Sequence, residues 1–166
     1  MDLFIRLKIL ERLYAIYDEF VGHLDVACQK YCAHCCTRNV TLTTLEGYQI
    51  MDYLESYCIS GWLQAIKSAL HKKRFRPKVT TNTMAEFCLE NRSLPEEEIH
   101  LKWGPCPLLR ENECILYPVI PFGCRCMVSN RNCRETGSAE TDDFVITVNP
   151  AFLQIIEHLD FGRIHL

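Results

Sequence analysis

The first part of the chain carries apolar residues at intervals of three and four, which is the spacing of one helix face. This face begins at Leu3 and includes Leu10 and Tyr17, while most of the charged residues fall on other faces. The pattern predicts an amphipathic helix of about six turns that ends near Ala27 and leads into Cys28.

A short alternating segment, Val40–Thr43, follows the first cysteines and predicts a β-strand because it is rich in β-branched residues. Thr43 and Glu46 have the spacing of a capping box, which predicts a helix from about 44 to 57. The apolar spacing after Gly61 predicts another helix, from Trp62 to about 75.

The second half of the chain predicts shorter elements. Thr83 and Glu86 form another capping-box pattern, which opens a helix that reaches about Asn91. Two apolar runs flank the polar residues 110–113 and predict a small hairpin.

Towards the C-terminus, Phe144–Val148 has the composition of a strand. Asn149 as N-cap and Pro150 as the first helical residue predict a last helix over about 151–159.

These elements predict an α+β fold that is mostly α-helical. In it, a small irregular cysteine-rich region with short strands is packed by amphipathic helices around a metal or iron–sulfur site. The length of 166 residues predicts a single domain, residues 1–166, that buries roughly 70 % of the surface of the unfolded chain.

Composition adds one unusual feature, a total of eleven cysteines in a chain with a formal net charge of −3. This charge balance argues against nucleic-acid binding, and no apolar run is long enough to predict a membrane span. The N-terminus lacks the apolar core of a secretion signal, and the odd number of cysteines leaves one unpaired in any disulfide set. We therefore expect a cytoplasmic protein with reduced thiols.

Two cysteines, Cys58 and Cys88, stand alone in predicted helices, where a free cysteine usually behaves as a small buried hydrophobe. The other nine lie in two blocks, 28–36 and 106–133. Because the neighbours of the first block are polar, burial in an apolar core does not explain its cysteines. The nine are Cys28, Cys32, Cys35, Cys36, Cys106, Cys114, Cys124, Cys126 and Cys133.

Clustered thiolates are soft ligands that select zinc or iron–sulfur clusters over hard cations. Nine thiols suffice for two four-thiolate sites, or for one site with spare thiols, and their spacing leaves both arrangements open. The adjacent Cys35 and Cys36 project differently, so they are able to serve two metals or one metal and a supporting role.

The spacing Cys28-x3-Cys32-x2-Cys35 also matches the motif by which radical S-adenosylmethionine enzymes hold a [4Fe–4S] cluster. In those enzymes the motif follows a strand of a partial barrel, whereas here it follows a predicted helix and no glycine-rich stretch accompanies it. His34 is assigned a local role, and no base accompanies a cysteine nucleophile. These features disfavour the radical-enzyme interpretation.

The combined motif resembles the YkgJ-type cysteine cluster proteins, a family with a zinc- or iron-chelating domain that is related to a cluster in flagellin lysine methylases. The resemblance extends over about 28–127 and rests on three pieces of sequence. These are Cys32-x2-Cys35-Cys36, then Val40-Thr41-Leu42-Thr43-x2-Glu46, then Cys106-Pro107-x-Leu109-x4-Cys114-x2-Tyr117-x3-Pro121-x2-Cys124-Arg125. It implies metal ligation by Cys28, Cys32, Cys35, Cys36, Cys106, Cys114 and Cys124. The chain departs from the family at Ile120, Met127 and Val128, and it adds the thiol of Cys126, which we include as a further candidate ligand.

We therefore expect a metal-binding protein that holds a [4Fe–4S] cluster or, alternatively, Zn²⁺ through both cysteine blocks. The number of thiolates, the lack of a histidine ligand set and the related methylases favour the iron–sulfur cluster. Its role would be structural, metal-handling or electron transfer, with a redox or protein partner left open. The alternative is a cluster-dependent enzyme or an accessory of protein modification, similar to flagellin lysine methylases or to radical S-adenosylmethionine enzymes.

Overall fold

Helices dominate the computed structural model of the chain, which describes residues 1–29, 31–97 and 104–160 and confirms the predicted, mostly helical α+β class. The longer helices are α1 (Leu3–Gly22), α2 (Thr44–Ser56), α3 (Trp62–Ala69), α4 (Thr81–Leu89) and α7 (Asp143–Leu159). The shorter elements are strands β1 (Leu109–Arg110) and β2 (Glu113–Cys114), a 3₁₀ turn (Tyr117–Val119), α5 (Phe122–Arg125) and α6 (Cys133–Thr136).

The main core lies where α1, α2, α5 and α7 meet. Tyr17 of α1 and Phe122 of α5 are fully buried, and their rings meet edge to face with centroids 4.8 Å apart. Phe152 of α7 stacks on Phe122 at 5.6 Å, and Leu10 and Ile156 complete the same cluster. Burial of large rings and branched side chains at this junction fixes the short helix α5 against the long helices.

A second, smaller core lies against the C-terminal half of α2. Ile50 and Leu54 of α2 pack there with Leu116, and Leu108 and Ile115 lie against them. The predicted hairpin is confirmed as the antiparallel pair β1–β2, in which Leu109 faces Cys114. α2 thus supports both α5 and the hairpin.

Acidic residues near the end of α7 cap two other helices. The Asp160 carboxylate accepts hydrogen bonds from the backbone N–H groups of Thr44 and Leu45 at 2.9 and 3.1 Å. Glu157 accepts bonds from the N–H groups of Thr81 and Asn82, both at 2.7 Å. These bonds satisfy orphan N–H groups at the first turns of α2 and α4.

The predicted capping box is confirmed at Thr43 and Glu46, where both reciprocal hydrogen bonds form. The predicted strand Val40–Thr43 is wrong, since the described residues offer it no strand partner. Instead the segment crosses α5 closely: a Cβ atom on Gly123 would lie 2.9 Å from the Thr41 carbonyl oxygen. Packing against α5 therefore replaces strand pairing.

The C-terminal prediction of a strand followed by a helix is also wrong, because one continuous helix runs over Asp143–Leu159 with Pro150 inside it. Asp142 caps its start by accepting a bond from the Phe144 N–H at 2.8 Å. Val145 is buried on the same helix as Ile156. Burial along this face, together with the cap, outweighs the β propensity of residues 144–148.

Other helix boundaries shift by up to about a turn and a half. α1 ends at Gly22 rather than near Ala27, and α3 ends at Ala69, before a run of cations whose like charges disfavour helix. α4 begins at Thr81 with Thr80 as its N-cap, one turn before the predicted Thr83. Across the described ranges, none of the helices combines the length and apolarity needed to cross a bilayer.

Candidate metal centre

The first cysteine block folds as two tight turns. The Cys32 N–H donates to the Gln29 carbonyl at 3.0 Å, and the Cys36 N–H donates to the Ala33 carbonyl at 3.1 Å. The turns bring the four cysteines of the block into one short loop rather than spreading them along a helix or strand.

The C-terminal half of this loop is tied to the start of the second block. The Cys106 N–H donates to the Cys36 carbonyl at 3.0 Å, and the Arg38 N–H donates to the Gly104 carbonyl, also at 3.0 Å. Between these two hydrogen bonds, Thr37 lies opposite Pro105 in a single antiparallel pair. Backbone pairing therefore joins two segments that lie far apart in the sequence.

Four thiols from separate elements gather around this junction. Cys36 and Cys106 belong to the paired segments, Cys114 ends β2, and Cys124 lies on α5. Cys106, Cys114 and Cys124 line one largely apolar cavity of about 190 Å³. The backbone bonds thus place Cys36 beside Cys106, while the cysteines that line this cavity all belong to the second block.

The adjacent thiols of Cys35 and Cys36 share a hydrogen bond. This bond lowers the pKa of Cys35 below its ordinary value. The same bond raises the pKa of Cys36 far above its ordinary value, and negative charge on Cys35, Cys114 and Cys124 acts in the same direction. Cys36 is therefore within electrostatic reach of thiols from β2 and α5.

The thiols of Cys114 and Cys124 are disfavoured as free anions. Burial, together with the charges of Cys114, Cys106 and Cys35, raises the pKa of Cys124 to about 12. Burial also raises the pKa of Cys114, with a contribution from Cys106. A bound cation would lower these pKa values, because a metal stabilises the thiolates that burial and mutual repulsion destabilise.

The N-terminal half of the first block is held by a different part of the chain. The Ala27 N–H donates to the Ser129 carbonyl at 2.8 Å, and the Ser129 N–H donates to the Cys28 sulfur at 3.3 Å. The His34 ring Nε2 lies 3.1 Å from the Gly137 carbonyl. These contacts connect the loop to residues 129–137.

Three more thiols meet at this second junction. Cys28, Cys32 and Cys133 line one small cavity of about 50 Å³. Burial raises the pKa of Cys28, the Ser129 backbone bond partly opposes this, and the charges of Cys133, Cys35 and Cys32 add to the increase. Cys133 starts α6 and is only 5 % exposed.

Cys126 packs against the main core, two residues after Cys124 and within electrostatic reach of it. Burial raises its pKa to about 11, and its Sγ lies 3.7 Å from the Gly123 carbonyl. Its role as a ligand stays a prediction. The prediction that Cys58 and Cys88 are buried is wrong: both are exposed, since they lie on outer faces at or near the ends of α2 and α4.

Two residues without a thiol, Glu46 and Arg125, hold α5 in its place. The Glu46 carboxylate is 3 % exposed and accepts bonds from the Tyr14 hydroxyl and the Phe122 N–H, both at 2.7 Å. The Arg125 guanidinium lies 4.3 Å from the centroid of the Tyr14 ring and pairs with Asp18 at 2.6 Å. Sequence patterns identified Glu46 as a cap and Arg125 as part of a motif, but not their contacts with α1.

The chemistry of the donor set fits a soft metal, because the gathered side chains are thiols. In residues 1–29, 31–97 and 104–160, no three His, Cys, Asp or Glu side chains already stand in an arrangement that would hold a metal ion. The thiols thus lie near one another, but they do not converge on one position at which a metal ion would sit.

No protein-family model, no curated protein and no solved structure matches this chain. The likeness to the YkgJ-type cysteine cluster proteins therefore stays a prediction that rests on the cysteine motif.

Proposed function

We propose that this protein binds an iron–sulfur cluster or zinc through thiolates from both of its cysteine blocks. The observation that carries the proposal is the junction at which the Cys36 and Cys106 backbones pair and the thiols of Cys36, Cys106, Cys114 and Cys124 gather. Core packing gives no reason to bring four thiols together from three segments, whereas soft-metal ligation requires it.

These four residues would be the ligands of this centre, and Cys35 is the immediate neighbour of one of them. The [4Fe–4S] form is favoured by the number of thiolates and by the absence of histidine from the donor set. An iron–sulfur cluster would supply one-electron redox chemistry, whereas zinc would supply a structural cross-link. The proposed roles are therefore structural, metal-handling or electron transfer in a reducing compartment such as the cytoplasm.

A second candidate function is a cluster-dependent enzyme or accessory of protein modification. The apolar cavity of about 190 Å³ beside Cys106, Cys114 and Cys124 favours it, because substrate pockets are typically apolar and concave. Iron–sulfur protein whose spectrum changes on addition of S-adenosylmethionine would support this function. An unchanged spectrum would favour the non-enzymatic role.

Serine substitution of the adjacent cysteines tests the proposal directly. Cys35→Ser and Cys36→Ser should each lower the metal content of protein purified without oxygen, because a hydroxyl is a poor replacement for a thiolate. Cys58→Ser is the matched control, since this exposed thiol stands outside both groups. Equal metal content in all single variants and in the Cys35→Ser/Cys36→Ser double variant would contradict the proposal.

A further inference from the structure

The first cysteine block is held from two sides. Its C-terminal end pairs with residues 104–106 through the Cys36 carbonyl, and its N-terminal end contacts residues 129–137 through Cys28 and His34. The four cysteines of the block therefore face two different sets of thiols, one beyond each end.

We propose that the clustered thiols form two separate metal centres, and that the neighbours Cys35 and Cys36 belong to different ones. Cys36, Cys106, Cys114 and Cys124 form the centre described above. Cys28, Cys32, Cys35 and Cys133 form a second centre, which takes a single zinc-like ion. This inference rests on the proposed function and adds to it a second site and a ligand, Cys133.

The second set is supported by its own geometry. Cys28, Cys32 and Cys133 line the same cavity, and Cys28 is within electrostatic reach of Cys133, Cys35 and Cys32. The cavity of about 50 Å³ is much smaller than the cavity of about 190 Å³ beside Cys106, Cys114 and Cys124, which suits a single ion better than a multinuclear cluster. Four thiolates complete the tetrahedral shell of a structural zinc site.

Two arguments assign Cys35 to the second centre: its position between the two groups and the number of thiols that each group has without it. It lies within electrostatic reach of both Cys28 and Cys124, so it sits between the two groups. The first centre already has four thiols without Cys35, whereas the second has three. Because the Cys35 and Cys36 thiols share a hydrogen bond, their assignment to different centres requires them to separate when metal binds.

The surroundings of the second set also suit a four-thiolate ion. Such a centre carries a net charge of about −2, and Arg131 and Arg134 line its cavity. The Ser129 N–H already donates to the Cys28 sulfur at 3.3 Å, a contact that favours the thiolate form. Ser129 is itself 1 % exposed and is held by the Glu140 N–H, which donates to its hydroxyl at 3.0 Å.

The metal content of two variants separates the centres. Wild-type protein should hold one centre of each kind, so Cys133→Ser should lose about one zinc per chain and keep the other centre. Cys106→Ser should lose the other centre and keep the zinc. Cys88→Ser is the control, because this exposed cysteine belongs to neither set, and it should lose nothing.

Loss of both centres in each variant would overturn the two-centre inference, as would unchanged metal in Cys133→Ser. Either result would leave the proposed metal binding standing. Wild-type protein without any bound metal would instead refute the proposed function.

Alkylation of wild-type protein gives a second readout that does not depend on the folding of a variant. Cys28 is exposed, so an alkylating reagent should reach and modify it when no metal is added. Added Zn²⁺ should slow modification of Cys28 and Cys32 at least about tenfold, because metal-bound thiolates are less available to the reagent. Cys58 should react at the same rate throughout. Equal rates at Cys28 with and without zinc would overturn the second centre.

Discussion

At the residue scale, Glu46 joins three parts of the fold with one carboxylate. Its Oε1 accepts bonds from Tyr14 of α1 and from Phe122 of α5, while its Oε2 accepts bonds from the Thr43 N–H and hydroxyl at 2.7 and 3.0 Å. A buried carboxylate is tolerated here because each oxygen has two donors. Through Phe122, the same residue positions the helix that carries Cys124.

Glu46→Gln should lower the free energy of unfolding by about 2–3 kcal/mol, because an amide NH₂ would face donors that need an acceptor. Chemical denaturation of the metal-free protein measures this change. Glu86→Gln, on the exposed side of α4, is the matched control and should change stability by less than about 0.5 kcal/mol. Equal stability of the two variants would contradict the network around Glu46.

Burial of Cys126 gives a pH dependence with a definite sign. Its pKa is raised from 9.0 to about 11 in the folded chain, so folding favours the protonated thiol. The resulting stabilisation is complete below pH 9 and is lost as the pH rises towards 11, at up to about 1.4 kcal/mol per pH unit.

Comparison with Cys126→Ala tests this in metal-free protein under reducing conditions. Between pH 8 and about 10.5, the unfolding free energy of the wild type should fall more steeply than that of the variant. Parallel curves would show that the Cys126 thiol is not desolvated.

Residue patterns predicted the capping box of Thr43 and Glu46 correctly, because both partners are local in sequence. They did not predict the contacts of Arg125 with Tyr14 and Asp18, since these depend on how α5 docks on α1. The burial predicted for Cys58 failed because α2 ends at Ser56, so Cys58 lies beyond the helix, where its φ is +50°.

At the scale of elements, α7 shows how tertiary packing overrides local signals. Asn149 and Pro150 have the sequence of a helix start, yet the helix begins at Asp143 and continues through them. The Tyr17 hydroxyl donates to the Asn149 side-chain oxygen at 2.7 Å, which holds this part of α7 against α1. An interior proline costs about 3 kcal/mol, which the buried apolar face of the helix offsets.

Pro150→Ala should therefore raise the free energy of unfolding by about 1–3 kcal/mol, because it restores a backbone N–H and removes a ring clash inside a helix. Thermal denaturation measures the effect, and no gain is expected for Pro95→Ala, which lies outside the helices. A neutral or destabilising result at position 150 would instead favour the helix start that the sequence suggests.

Close contact between α5 and the preceding segment is a second property of the elements. Gly123→Ala should destabilise the protein by about 1–3 kcal/mol, since its Cβ would lie 2.9 Å from the Thr41 carbonyl oxygen. Gly22→Ala is the matched control, because nothing lies within 4 Å of a Cβ there. Similar unfolding midpoints for the two variants would show that residues 40–43 are not held against α5.

At the scale of the whole molecule, the two cores support an arrangement of thiols that comes from distant segments. Helices α1 and α3 followed from apolar periodicity and α2 and α4 from their capping patterns, and the hairpin was also predicted, whereas α5, α6 and the first half of α7 were not predicted as helix. The partition of the thiols between two junctions was not, because it depends on which backbone segments pair with each end of the first block. Spacing likewise gave no sign that Cys133 meets Cys28 and Cys32 while Cys126 packs on the core.

Metal binding of this kind should couple to the stability of the entire chain. Prolonged treatment of loaded protein with a chelator should lower its thermal midpoint, because ligation contributes on the order of 10 kcal/mol of apparent binding energy in small zinc domains. Restored metal should reverse the change. An identical midpoint before and after metal removal would show that the centre does not contribute to folding.

The most direct test of metal binding is the metal and sulfide content of fresh wild-type protein purified without oxygen, with its visible spectrum recorded on the same sample. Bound iron with acid-labile sulfide and a brown chromophore is the predicted result, and stoichiometric zinc without sulfide would establish the alternative form. Folded, colourless protein that contains neither iron nor zinc would contradict the account.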